Sequence, residues 1–342
     1  LVNASGGAGT SILTVGAGDA NGEYGGVIAD GATRTVGLTK TGAGTQILTN
    51  INTYTGPTAV NGGVLKLNGD GSIASSSRIS LSGGGTLDVT GITTLPFSIG
   101  ASQTLGGGSS TGNIQGDTTL DANAPVALTY TKGTPSLNVS SGTLTLNGNN
   151  VTVDITGAAP LLDGSYKLIS KSGSGSVVGT VGTLTITGLG IAGGGTPQLN
   201  IVGNELFLNI TGGAPGVEWG SGDGTWADNV VGWNSGGTSV FTNGNVALLT
   251  DTFSTGNPTL TLNTTVLPQS VVVSSTNNYT VSGSGTIGGS ASITKLGSGS
   301  LTLDVANTHT GGVAHYAGAL NIKNASALGD VTGTFTVRGG TI

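Results

Sequence analysis

Cysteine is absent from the 342-residue chain, which excludes disulfides and thiolate metal sites. Charge is scarce as well: 8% of residues carry it, against about 25% in ordinary soluble domains. The 16 acids and 10 bases, net −6, are scattered, and no basic run offers a footprint for nucleic acid. No stretch of about 18 apolar residues occurs, so no helix is expected to span a bilayer. Aromatic residues make up only 4%, fewer than a β-sandwich of this length would normally bury. Helical periodicity is missing too, since no 12-residue window carries a convincing apolar stripe at i, i+3, i+4 and i+7. No signal peptide is expected at Leu1, because the opening residues lack the pattern of one. Both ends lie within strand-like pattern, and Gly339-Gly-Thr-Ile342 read into Leu1-Val-Asn-Ala continues that pattern, so a segment of a longer array is expected.

What is abundant is glycine, 66 residues, together with Thr, Ser and Asn. The 35% apolar content argues against disorder because Val, Ile and Leu fall in regular short runs. Thr143–Asn147, Val151–Ile155, Thr183–Thr187, Leu206–Ile210, Leu260–Leu262 and Leu301–Leu303 alternate apolar with mostly polar residues, and glycine-rich turns punctuate the chain. Such local signals also fit a sandwich or barrel. A long internal repeat decides between them. Leu38-Thr-Lys-Thr-Gly-Ala-Gly, Asn52-Thr-Tyr-Thr-Gly and Gly62-Gly-Val-Leu-Lys-Leu-Asn68 return in order as Ile293-Thr-Lys-Leu-Gly-Ser-Gly, Asn307-Thr-His-Thr-Gly and Ala317-Gly-Ala-Leu-Asn-Ile-Lys323. The two copies align without a gap, which is the signature of stacked supersecondary units. At about 4.8 Å per step, like charges on successive rungs would repel, whereas Thr, Ser and Asn can form ladders. The expected fold is therefore all-β, a β-solenoid of stacked rungs with about 20–25 residues per rung.

Residues 38–68 and 293–323 resemble the autotransporter-associated β-strand repeat, also called the passenger-associated transport repeat, of bacterial secreted and surface proteins. The second copy departs from it at His309, where Tyr is usual, and at His315-Tyr316. The stretch between them also looks like the spacer of long members of this group: Gly164–Ser170, Val181–Thr187 and Leu206–Thr211, then Trp219–Trp226, Trp233-Asn234 and Phe241–Gly244. The resemblance implies a right-handed parallel β-helix passenger, commonly preceded by a signal peptide and followed by an outer-membrane barrel. Absence of cysteine fits export in an unfolded state. The expected organisation is a solenoid over 1–211, a Trp-containing junction over 212–245 and a second solenoid over 246–342.

Candidate sites are few. Trp219, Trp226 and Trp233, with Glu218, Asp223 and Asp228 alongside, either hold a glycan on their ring faces or plug a structural junction. Asp19, Asn21 and Glu23 have the alternate oxygens of a calcium loop but lack an EF-hand's spacing, which favours a turn. Gly106–Gly108 and Gly193–Gly195 are read as turns, since no Lys-Ser/Thr follows either. His309 and His315 share a face without a third ligand and are read as solvated or turn residues. Asp117 and Asp121 form another close acidic pair, but a glycosidase needs two carboxyls about 5–10 Å apart across a cleft. No catalytic, cofactor or metal residue is assigned. The expected function is a non-catalytic extracellular rod, fibre or adhesin stalk on a bacterial surface. Its expected partners are further copies of itself and surface glycans; the alternative is a carbohydrate-binding or polysaccharide-cleaving passenger.

Overall fold

The computed structural model describes residues 8–157, 159–234 and 239–342. Among them every regular element is a strand, and no helix long and apolar enough to cross a membrane occurs. The chain divides into two compact units. One comprises Leu1–Gly157, Ser165–Gly190 and Pro197–Asn209; the other comprises Ala158–Gly164, Ile191–Thr196 and Ile210–Ile342.

In unit one, successive passes of the chain build two large sheets in which strands pair in parallel with counterparts a turn later. Leu38 lies beside Thr58, Thr58 beside Ile79, Leu105 beside Val126 and Val126 beside Val151. The step varies from 19 residues (Thr45 to Val64) to 27 (Thr86 to Asn113), and rises to 33 between Val151 and Leu184. Unit two repeats the plan, with Val246, Ser270 and Ser292 in one ladder and Thr259, Thr280 and Thr302 in or beside another. Each unit is thus a parallel β-solenoid, as the alternation and the repeat require. All six alternating segments singled out in the sequence lie within strands.

Period two explains the interior. Alternate side chains point inward, and parallel stacking places inward positions of successive rungs over one another. One such column in unit one runs Val15, Lys40, Val60, Leu81, Gly107, Leu128, Val153 and Ile186. Its counterpart in unit two runs Leu249, Val273, Lys295, His315 and Val337. Aliphatic side chains stacked in this way are buried from Val60 to Val153 and from Leu249 to Val273. Outward positions carry hydroxyl and amide ladders: Thr10 with Thr35 (2.8 Å), Thr131 with Thr156 (3.0 Å) and Asn138 with Asn113 (3.1 Å).

Two expectations are corrected. Gly106 and Gly107 are buried in strand Thr104–Gly107 and form no turn, because a Cβ on Gly107 would press on Ser136, Leu137 and Leu128. Gly193 and Gly194 do occupy a turn, with positive φ of 78° and 71°. His309 and His315 are neither solvated nor exposed; both are fully buried. In the Trp-bearing segment the three indoles join unit two's core with Leu249, Leu260 and Val273.

Candidate functional site

The Trp segment departs from the parallel plan. Rung steps widen to 30 residues (Gly216 to Val246) and 36 (Gly224 to Leu260), and the extra chain contains the antiparallel pair Val231–Trp233 with Ser239–Val240. Antiparallel pairing lets a short excursion return on itself without completing a rung. Trp219 also bridges Trp233 in antiparallel fashion. All three indoles are fully buried. Trp233 meets Trp219 edge-on at 5.1 Å and Trp226 at 5.6 Å, and Phe241 closes on Trp226 and Trp233 at 5.5 and 5.3 Å. Trp219 Nε1 donates to Gly222 O at 2.9 Å. With every ring face covered by another ring or by aliphatic core, none is open to a pyranose. The geometry is that of a plug.

The flanking acids do not converge on a cleft either. Asp223 accepts the Thr259 N–H at 2.7 Å, and Asp228 accepts the Asn243 N–H at 2.7 Å. Asp117 accepts the Thr143 N–H, one rung on, and Asp121 closes a local turn by accepting the Asn123 N–H. Asp19 and Asn21 likewise accept from Ala43 and Thr45 on the next rung. Asp and Asn are thus used alike, as acceptors for backbone N–H groups at corners where the ladder is interrupted. Among the described residues no group of three or more His, Asp or Glu is arranged to hold a metal. A groove of about 340 Å³ on unit one is lined by Ile51, Asp70, Ser72, Thr93 and Phe97 among others, with Asp70 as its one carboxylate. Two carboxyls are required for ordinary glycoside hydrolysis.

The most distinctive side-chain chemistry lies inside the two copies of the repeat, at equivalent places. Lys40 and Lys295 occupy inward positions and are fully buried. Lys40 Nζ donates to the carbonyls of Thr41 (2.7 Å), Gly42 (3.0 Å) and Gly62 (3.2 Å). Lys295 Nζ donates to those of Leu296 (2.6 Å), Gly297 (3.0 Å) and Ala317 (3.0 Å). Each ammonium therefore ties the corner after its own strand to the corner one rung on. Burial lowers the pKa of both; nearby Asp19 partly offsets this for Lys40, while Lys295 is pulled down to about 8. Parity exposes this role in the sequence, because Lys40 lies two residues from buried Leu38 and Lys295 two from buried Ile293.

The glycines after each lysine belong to the same device. Gly42 and Gly297 have φ near +70°, and a Cβ there would run into the Gly16 and Ser275 carbonyl oxygens of the preceding rung. Asn52 and Asn307 form a second staple. Each Oδ1 accepts an N–H from the preceding rung, Ile28 or Ile287, at 2.9 Å. Each Nδ2 donates to a carbonyl of the following rung, Ser72 at 3.0 Å or Ala327 at 2.7 Å.

At two further positions the copies differ. Tyr54 is buried in the first, with its hydroxyl 2.6 Å from Thr58 Oγ1, which donates onward to Ser76 Oγ at 2.9 Å. Burial raises the Tyr54 pKa and keeps the phenol neutral. His309 stands in its place in the second copy, and His315 stands where the first has Val60.

The family model of the passenger-associated transport repeat matches the chain twice, over residues 38–67 and 293–324. No match was found among curated proteins or among solved structures. The chain therefore carries two passenger-associated transport repeats, and these repeats on a β-solenoid fit the passenger of an autotransporter.

Proposed function

We propose that this chain is a non-catalytic segment of an extracellular passenger on a bacterial surface, serving as a stiff structural or adhesive scaffold. The observation that carries this reading is the use of polar chemistry. Lysine, asparagine and aspartate are turned toward backbone groups of neighbouring rungs, and the charges that pair do so across adjacent rungs, as Lys66 does with Asp88 at 2.8 Å. Polar side chains used in this way hold a scaffold in register. The outward Ser, Thr and Asn ladders form a weakly charged surface suited to lateral packing against further copies and to multivalent contact with surface glycans.

Two measurements test the proposal. Negative-stain electron microscopy of the native material should show extended filaments or rods; uniformly compact particles would count against it. Asp223→Asn should leave stability and glycan binding unchanged, because the amide Oδ1 still accepts the Thr259 N–H. Asp223→Ala should cost about 1 kcal/mol in a urea melt. Polysaccharide turnover lost in Asp223→Asn, with folding intact, would replace the scaffold by an enzyme.

A further inference from the structure

The second repeat buries three basic side chains where the first buries one. Lys295 and His315 are paired neighbours on adjacent strands, one rung apart in the same inward column. His315 Nε2 lies 3.0 Å from the Thr341 carbonyl and donates to it, which leaves Nδ1 enclosed without a partner. His309, also sealed, has neither ring nitrogen in a hydrogen bond, and Gly329 packs against its ring.

The charged groups on the surrounding elements offer no remedy. Ser292–Leu296 contributes the Lys295 ammonium. The segment after Phe335–Val337 contributes Arg338, whose guanidinium lies over the Tyr316 ring at 5.7 Å. The chain beside His309 contributes Asp330, whose carboxylate faces outward and accepts from Thr332 N and Oγ1 at 2.8 and 2.6 Å. Strand Ala319–Ile322, with Lys323 after it, and strand Ser300–Asp304 end in exposed groups. The nearby polar atoms are backbone groups of Ala291, Gly318 and Thr341. A second proton on either imidazole thus enters a closed site with no carboxylate to receive it.

We infer that the second repeat is an acid-sensitive gate in the solenoid: protonation of His309 and His315 opens the rungs from about residue 291 to 342, while the first repeat, with Tyr54 and Val60 at the same places, stays closed. Burial depresses both histidines below the ordinary 6.5, and Lys295 adds repulsion at His315. A depressed folded value means that the opened form binds more protons as pH falls through 6.5. Stability of these rungs is therefore full above about pH 7 and declines below it. Opening is local because solenoid rungs contact mainly their neighbours.

Hydrogen exchange with mass spectrometry on the 342-residue chain tests this, with rates corrected for intrinsic pH dependence. Between pH 7 and pH 5, protection over 291–342 should fall at least about tenfold more than protection over 36–69, since one pH unit below a suppressed titration is tenfold in opening. His309→Tyr with His315→Val transplants the first repeat's residues and should abolish the difference. Equal losses in both repeats, or an undiminished loss in the double variant, would overturn the inference. Should that variant misfold, the wild-type imidazole resonances decide: rings that titrate near 6.5 with the rungs still protected are incompatible with the gate, whereas rings that titrate only together with loss of protection support it.

Discussion

At the scale of single residues, the unusual feature is a cation held by carbonyls inside a stack of aliphatic side chains. Lysine succeeds there because its stem fills the column while its three N–H donors match three carbonyls left free at the corners. Lys40→Met keeps the stem but leaves the carbonyls of Thr41, Gly42 and Gly62 without this donor. We expect unit one to lose about 1.5–3 kcal/mol, the range for hydrogen bonds to charged groups, read as a shift in urea midpoint. Lys295 makes a separate prediction through pH. Its folded pKa of about 8 lies below its ordinary 10.5, so between these values the unfolded chain binds more protons. Stability of unit two should therefore rise as pH climbs from about 8 toward 9.5. Lys295→Met, measured over the same window by hydrogen exchange, should show no such rise; an identical rise in the variant would assign it to another group.

At the scale of elements, rungs are regular where the chain keeps to a step near 20–25 residues and irregular where it carries more. The Trp segment accommodates its surplus with an antiparallel pair and fills the resulting space with Trp219, Trp226, Trp233 and Phe241. Trp233 touches the other three rings, so Trp233→Ala should cost unit two about 3–5 kcal/mol, whereas replacing exposed Val231 should cost less than about 0.5 kcal/mol. Near-ultraviolet circular dichroism and a urea melt would distinguish the two. Much of this was legible in the sequence: alternation located the strands, and the duplicated passage identified the stacking. Residue type obscured the rest. His309 and His315 read as solvated because no third metal ligand stands near them, yet His315 stands two residues from Val313 and so shares its inward parity. Gly106 and Gly107 read as a turn because glycine favours turns, although here bareness makes room for Leu128 and Leu137. The cross-rung partners of Asp117 and Asp223 could not be read, since they lie a full rung away at a step that varies from one turn to the next.

For the molecule as a whole, the balance of forces can be inferred from what holds the rungs. Among the described residues two ion pairs occur, Lys66–Asp88 and Lys167–Glu205, each at 2.8 Å. Lys167 is substantially exposed and its pair contributes little, as surface pairs do. The remaining cohesion comes from parallel backbone ladders, inward aliphatic columns and hydrogen bonds of Asn, Asp, Ser and Thr to backbone. None of these is strongly screened by salt, and a net charge of −6 spread over 342 residues gives little self-repulsion to relieve. Raising NaCl from 0.05 to 0.5 M at pH 7.5 should consequently move the urea midpoint of either unit by less than the equivalent of about 0.5 kcal/mol. The same addition near pH 5 should still leave the second repeat less protected than the first, because the penalty on its buried imidazoles is desolvation, which mobile ions outside the solenoid cannot reach. A large salt response at pH 7.5 would show that charge pairing, not hydrogen-bonded stacking, holds the rungs together.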